Sequence, residues 1–144
     1  MSNGAMMEEM DIDDYSEIFA LWKCDANIRL SAADSYDKIK LFLDRNPHTY
    51  FVLRHDAKII GTILCGNDGR RGYFHHLYVD KSFRGKGYGK TLLDKGIEEL
   101  KNIGILKVHI FVFPTNHNGQ AFWMKMGFCK RRKSPICFET IFST

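Results

Sequence analysis

The chain has 144 residues, and its 44% hydrophobic and 26% charged content is that of one folded domain. This excludes a disordered chain, a repeat array or a collagen-like composition, and no apolar run nears the roughly 18 residues of a membrane span. The net charge of +4 favours an anionic ligand but is too small to argue for nucleic acid by itself.

Residues 1–6 (MSNGAM) do not read as a secretory leader and are set outside the fold, as an expression scar or a disordered start. Residues 14–23 carry Tyr15, Ile18, Phe19, Leu21 and Trp22 on one helical face, with Asp13 or Asp14 as cap. After a polar stretch over 25–33, a second amphipathic helix spans 35–45 and stops at Asn46-Pro47. The pattern then alternates. Strands are predicted over 50–54, 59–65 and 73–79, joined by turns at 55–58 and at Asp68-Gly69. A glycine-rich segment runs into a helix with Leu92, Leu93, Ile97, Leu100 and Ile103 inward and Gly104 as C-terminal cap. A strand over 106–113, a helix over 116–126 and a hairpin over 128–133 and 136–142 complete the order. The fold class is therefore α/β (α+β): a mixed, mostly antiparallel sheet flanked by helices, containing one strand–helix–strand unit, as a single domain over 1–144.

The four cysteines, Cys24, Cys65, Cys129 and Cys137, have neither CxxC pairing nor a matching histidine spacing. They are read as reduced thiols of a cytoplasmic protein with no metal. Lys130-Arg131-Arg132-Lys133 reads as a solvated edge strand, since no aromatic platform accompanies it. A contact to a ligand phosphate is the lesser alternative.

The sharpest feature is Arg84-Gly85-Lys86-Gly87-Tyr88-Gly89-Lys90-Thr91. Alternating glycines let backbone N–H groups converge, and the helix N-terminus adds donors and partial positive charge, which together cradle a phosphate. A P-loop needs glycine at position 84, where Arg84 stands, and a Rossmann loop needs glycine at position 90, where Lys90 stands. What fits is Arg/Gln-x-x-Gly-x-Gly/Ala through Arg84, Gly87 and Gly89. With Leu77-Tyr78-Val79-Asp80 before it, and Asn116-x-x-Gly119-x-x-Phe122-Trp123-x-x-x-Gly127-Phe128 after it, the chain resembles the GNAT superfamily of acyl-CoA-dependent N-acetyltransferases.

The resemblance implies acetyl-CoA as cosubstrate. Its pyrophosphate would lie on the backbone of Arg84, Gly85, Lys86, Gly87, Tyr88, Gly89 and Lys90. Its pantetheine arm would lie along Leu77, Tyr78 and Val79, in a slot between two parallel strands that splay apart. Asn116 resembles the family's polar cofactor contact and also suits a helix N-cap. Attack of a neutral amine on a thioester calls for a base, and His75 is chosen because it titrates near neutrality. By strand alternation His75 shares a face with Tyr73, Leu77 and Val79, while His76 points the other way. Trp123 stands where relatives often carry a tyrosine acid. An indole cannot give up its proton usefully, so Trp123 is either a wall of the thioester pocket or core packing. Arg29 lies where relatives shape the acceptor pocket; it reads by default as a surface arginine, with a contact to a substrate carboxylate as the alternative.

The implied function is acetyl transfer from acetyl-CoA to a primary amine, on a small molecule or a protein N-terminus, by direct attack in a ternary complex. A coenzyme A-binding module without transferase activity is the alternative, and a nucleic-acid-binding domain ranks far below both. No membrane partner is expected. Homodimers are common in that family, and the sequence shows no interface.

Overall fold

The structure, a computed structural model, describes residues 4–131 and 134–141, with backbone alone for residue 131 and for 134–141. Eleven elements follow in chain order: β1 (Ala5–Glu9), α1 (Tyr15–Trp22), α2 (Tyr36–Arg45), β2 (Tyr50–His55), β3 (Lys58–Asn67), β4 (Gly72–Val79), α3 (Tyr88–Asn102), β5 (Lys107–Phe111), α4 (His117–Lys125), β6 (Cys129–Arg131) and β7 (Ser134–Ile141). Single 3₁₀ turns at Ile12–Asp14, Ala26–Ile28, Ala32–Asp34 and Lys81–Phe83 join some of them. Among the described residues the strands form one sheet in the order β1-β2-β3-β4-β5-β7-β6. β4 and β5 are parallel and the other neighbours antiparallel. The expected mixed sheet is the observed one. No described helix is long and apolar enough to cross a membrane.

Each face of the sheet has its own core. On one, Leu92, Leu93 and Leu100 of α3 and Trp123 of α4 pack on Ile60, Ile63, Phe74 and Val108. On the other, Ile18, Leu21 and Trp22 of α1 and Ile39 and Leu43 of α2 pack on Val52, Ile59 and Leu64. These are the apolar positions that 3.6-residue spacing selects, and full burial of each such side chain contributes about 1.5–3 kcal/mol.

Two departures from the sequence reading are local, and the β2–β3 turn falls within the expected 55–58. β1 begins at Ala5, inside the segment set outside the fold, and pairs with β2 along its length, so Ala5 and Met6 belong to the sheet. Asp14 stands at the N-cap position of α1, but its side chain makes no capping hydrogen bond. Asp11 caps the preceding 3₁₀ turn by accepting from Asp13 N, while Asp14 meets Arg54 at 2.6 Å. The β2–β3 hairpin turns through Asp56 and Ala57 at φ 50° and 67°, the doubly left-handed geometry of a tight hairpin without its usual glycine. β6 lies at the sheet edge as expected for the basic run, with Lys130 exposed; residues 132 and 133 of that run, the side chains of Arg131 and Cys137, and residues 1–3 and 142–144 fall outside the description.

Candidate active site

β4 and β5 pair only at Gly72–Val108 and Tyr73–His109. Beyond that point β5 stays paired to β7, and β4 stays paired to β3. The β5-facing edge of β4 from Phe74 onward therefore has no strand beside it among the described residues. The two strands open into a cleft of about 300 Å³, lined by Phe74, His75, His76 and Leu77 on one wall and by Phe111, Val112 and Phe113 on the other. Asn116 and Trp123 also line it. Trp123 is 9% exposed and packs against Phe74 and Phe128, so the indole serves both as core and as cleft wall.

The register of β4 shifts where the cleft opens. His75 pairs with Leu64 and Tyr78 with Thr62, so His76 and Leu77 together face the single residue Ile63. This is a β-bulge, and His76 takes the left-handed φ of 50° there. Such strain costs on the order of 1–3 kcal/mol and needs support. Support comes from a relay: Trp22 Nε1 donates to Thr62 Oγ1 at 2.9 Å, and Thr62 Oγ1 donates to the His76 carbonyl at 2.7 Å. Both Trp22 and Thr62 are fully buried. The His76 ring packs on Trp22, and its Nε2 lies 2.6 Å from Asp34 Oδ1. Asp34 is itself fixed: its Oδ2 accepts from Ser31 N at 3.0 Å, and its carbonyl accepts from the Tyr15 hydroxyl.

The bulge corrects the alternation argument. Phe74, Leu77 and Val79 face the α3–α4 core, while Tyr78 belongs to the α1–α2 core. His75 lies against Phe42 of α2 and Tyr73, on the same side as His76, which lies against Trp22 of α1. His75 therefore does not share a face with Leu77 and Val79, and the two histidines do not point oppositely. One extra residue in the strand reverses every later side chain. Desolvation by the flanking rings, then the neighbouring His76, hold the His75 pKa below the ordinary histidine value, and Asp34 opposes them. His75 nonetheless stays exposed toward the cleft, so this shift is modest in consequence.

A second cavity, of about 490 Å³, lies between α2 and β4 and is lined by Asp34, Phe42 and Arg45 among others. Arg29, His75 and His76 line both cavities, so the two meet there. Sequence reasoning missed Asp34 and the residues of α2. The Ser31-x-x-Asp34 spacing of a capping box was the available sign, and both halves of that box form.

At the far end of β4 the glycine loop enters α3. Gly85 and Gly87 have φ of 79° and 84°, and no neighbour crowds either position, so backbone conformation is what requires glycine there. Gly87 caps α3 without a side chain, no acidic residue occupies the first turn, and the first helical bond runs from Thr91 N to Gly87 O. The N–H groups ahead of it point out of the helix end beside Lys86 and Lys90. Lys86 stands over the Phe83 ring and Lys90 pairs with Asp94. Arg84 pins the loop to the strand, its Nε donating to the Val79 carbonyl at 2.9 Å. Asn116 caps α4, accepting from Gly119 N at 3.0 Å, and a Cβ at Gly119 would fall 2.4 Å from Asn116 Nδ2. The structure thus brings Leu77, Asn116 and Trp123 to the cleft with the two histidines, and sets Arg84 and the loop at the end of β4. Tyr78 lines neither cavity; its hydroxyl is buried without a hydrogen-bond partner among the described residues, and burial pushes its pKa up.

The chain is similar to known proteins in the same terms. The profile of the Acetyltransferase (GNAT) family matches residues 15–128. An acetyltransferase of Pectobacterium atrosepticum is 30% identical over 105 residues, covering 72% of this chain and 73% of that one. An acetyltransferase of Photorhabdus laumondii is 27% identical over 129 residues, 88% of each chain. In fold, the chain is similar to Ard1 from Thermoplasma volcanium, with a TM-score of 0.83 at 17% identity over 99% of this chain and 100% of that one. It is also similar to the PaiA N-acetyltransferase from Thermoplasma acidophilum, solved in complex with coenzyme A, with a TM-score of 0.82 at 22% identity over the same shares. The chain belongs to the GNAT family and is an acetyl-CoA-dependent acetyltransferase.

Proposed function

We propose that the chain moves an acetyl group from acetyl-CoA to a primary amine by direct attack, with both substrates bound at once. One observation carries this reading: a cleft edged by unpaired strand backbone meets a separate cavity at His75 and His76. A donor can enter from one side and an acceptor from the other.

The residues present fit acetyl-CoA. The open N-terminus of α3 and the left-handed glycines suit a diphosphate on the N–H groups of residues 85–90, with Arg84, Lys86 and Lys90 around it. The free edge of β4 at Leu77, Tyr78 and Val79 suits the amide-bearing arm, which can complete the ladder as an added strand. Asn116 offers a polar contact and Trp123 an apolar wall. When bound, acetyl-CoA supplies a thioester carbonyl as acyl donor.

Attack forms an N–C bond and breaks the C–S bond. His75 takes the amine proton: it is held in its neutral form at neutral pH and opens onto both cavities. Backbone N–H groups on the free edge of β4 face the charge that develops on the carbonyl oxygen. Among the described residues no hydroxyl or thiol lines the cleft, so water protonates the departing thiolate. A second reading makes His76 the base, favoured by its 2.6 Å contact with Asp34, which leaves Nδ1 to accept a proton. The setting is the cytoplasm, where Cys24, Cys65 and Cys129 stay as free thiols.

Calorimetric titration with acetyl-CoA, followed by thiol release across an amine panel, tests the proposal. Micromolar binding and amine-dependent thiol release are expected. Binding without release would make the chain a coenzyme A-binding module instead. Loss of turnover in His75→Ala but not in His76→Ala supports His75; the reverse assigns the base to His76.

A further inference from the structure

Resting on the acetyltransfer reading, we propose that the acceptor is an amine that also carries a carboxylate, of amino-acid type, and not a polycationic amine. The charge around the acceptor cavity is one-sided. Arg29, Lys38 and Arg45 line it, and Asp34 is the one acidic side chain that does. That carboxylate is already engaged, with Oδ1 on His76 Nε2 and Oδ2 on Ser31 N. The three cations are not: none makes an ion pair among the described residues, whereas Lys40, two residues beyond Lys38 on α2, pairs with Asp44.

Their placement follows from the helix. Lys38 and Arg45 lie seven residues apart on α2, on one face and about 10 Å apart along the axis. Leu41 and Phe42 lie between them on the same face and also line the cavity. Arg29 closes the end where the two cavities meet. Its guanidinium carbon lies 3.9 Å from the centre of the Phe113 ring, a contact that uses the cation's face and no N–H donor. An acceptor with its amine at His75 and His76 meets cations and an apolar stripe with the rest of its body. A carboxylate finds charge-assisted donors there. A polyamine or aminoglycoside finds three like charges and no free acid. The cavity is of a size that holds small molecules.

The test uses the full chain with acetyl-CoA and four kinds of probe: free amino acids, their carboxamides, spermidine and kanamycin. Thiol release is expected with at least one amino acid at a kcat/KM about tenfold or more above its own amide, the worth of one charge-assisted hydrogen bond. Lys38→Glu or Arg45→Glu should raise KM for that amino acid by about tenfold, with the loss in KM and not shared by the amide. Both side chains are exposed, and a melting curve checks that each variant is folded. Release with spermidine or kanamycin alone, equal kcat/KM for acid and amide, or no amino acid turned over would overturn the acceptor assignment while the acetyltransferase reading stands. Absence of acetyl-CoA binding would sink that reading and this inference with it.

Discussion

The two sides of the active site are built from different material. The donor side is backbone: a strand edge left open by splayed β4 and β5, two left-handed glycines, and a helix end with no side-chain cap. The acceptor side is made of side chains: Arg29 and Asp34 from the turns before α2, Lys38, Phe42 and Arg45 from α2, and two histidines on a bulge. On the proposed reading, the backbone side takes the donor and the side-chain side selects the acceptor. Donor-side damage should therefore act on all substrates alike, while acceptor-side damage should discriminate among them.

The largest effect is expected at Gly87. Its φ of 84° is one a β-branched residue avoids, and the loop that it sets presents the N–H groups. Gly87→Val should weaken acetyl-CoA by on the order of a hundredfold in calorimetry with circular dichroism unchanged, the loss of two charge-assisted hydrogen bonds or so. Equal affinity would remove the loop from the donor side.

Next comes the bulge. Thr62→Val removes the acceptor for the buried Trp22 Nε1 and the donor to the half-buried His76 carbonyl. A loss of about 2 kcal/mol in urea unfolding is expected, with a fall in kcat, because the histidines lose their setting. A stable variant with full kcat would show that the relay does not hold the site.

The pH profile follows. Since desolvation lowers the His75 pKa, the protonated, inactive form appears only below the ordinary histidine value. The kcat/KM should fall as pH drops through that lower break, which is separate from the acceptor amine's own break on the alkaline side. His75→Ala should erase the lower break. A profile that keeps it moves the assignment to His76.

The smallest effect is expected at Asn116. Asn116→Ala removes the α4 cap, for about 1 kcal/mol of stability, and should weaken acetyl-CoA only a few-fold. A larger loss of affinity would make Asn116 a principal cofactor contact and strengthen the donor side's dependence on side chains.

The same contrast governs what the sequence could tell. The Arg84 to Gly89 spacing, the strand before it and the helix after it are written in glycine and in apolar period, and the structure shows them where they were expected. The bulge at His76 is not written: no glycine or proline marks it, and it arises from the register of the β3–β4 hairpin, which pairs Leu64 with His75 but Thr62 with Tyr78. Strand alternation consequently misassigned the faces of His75, His76 and the residues after them. Asp34 escaped for a similar reason. Its capping-box spacing from Ser31 is legible, but its partner His76 is 42 residues away and that pairing is not. Ala5 and Met6 of β1 lie inside the segment read as a scar or disordered start; AMMEE shows neither alternation nor an apolar run, and it is a strand because β2 offers it an edge.

A crystal structure of the chain with coenzyme A tests most directly whether donor and acceptor cavities meet at the histidines. The account predicts the diphosphate over the N-terminus of α3 at Gly85 to Lys90, and the sulfur between β4 and β5 beside His75 and His76. Coenzyme A bound elsewhere, or with its sulfur away from the two histidines, would contradict it.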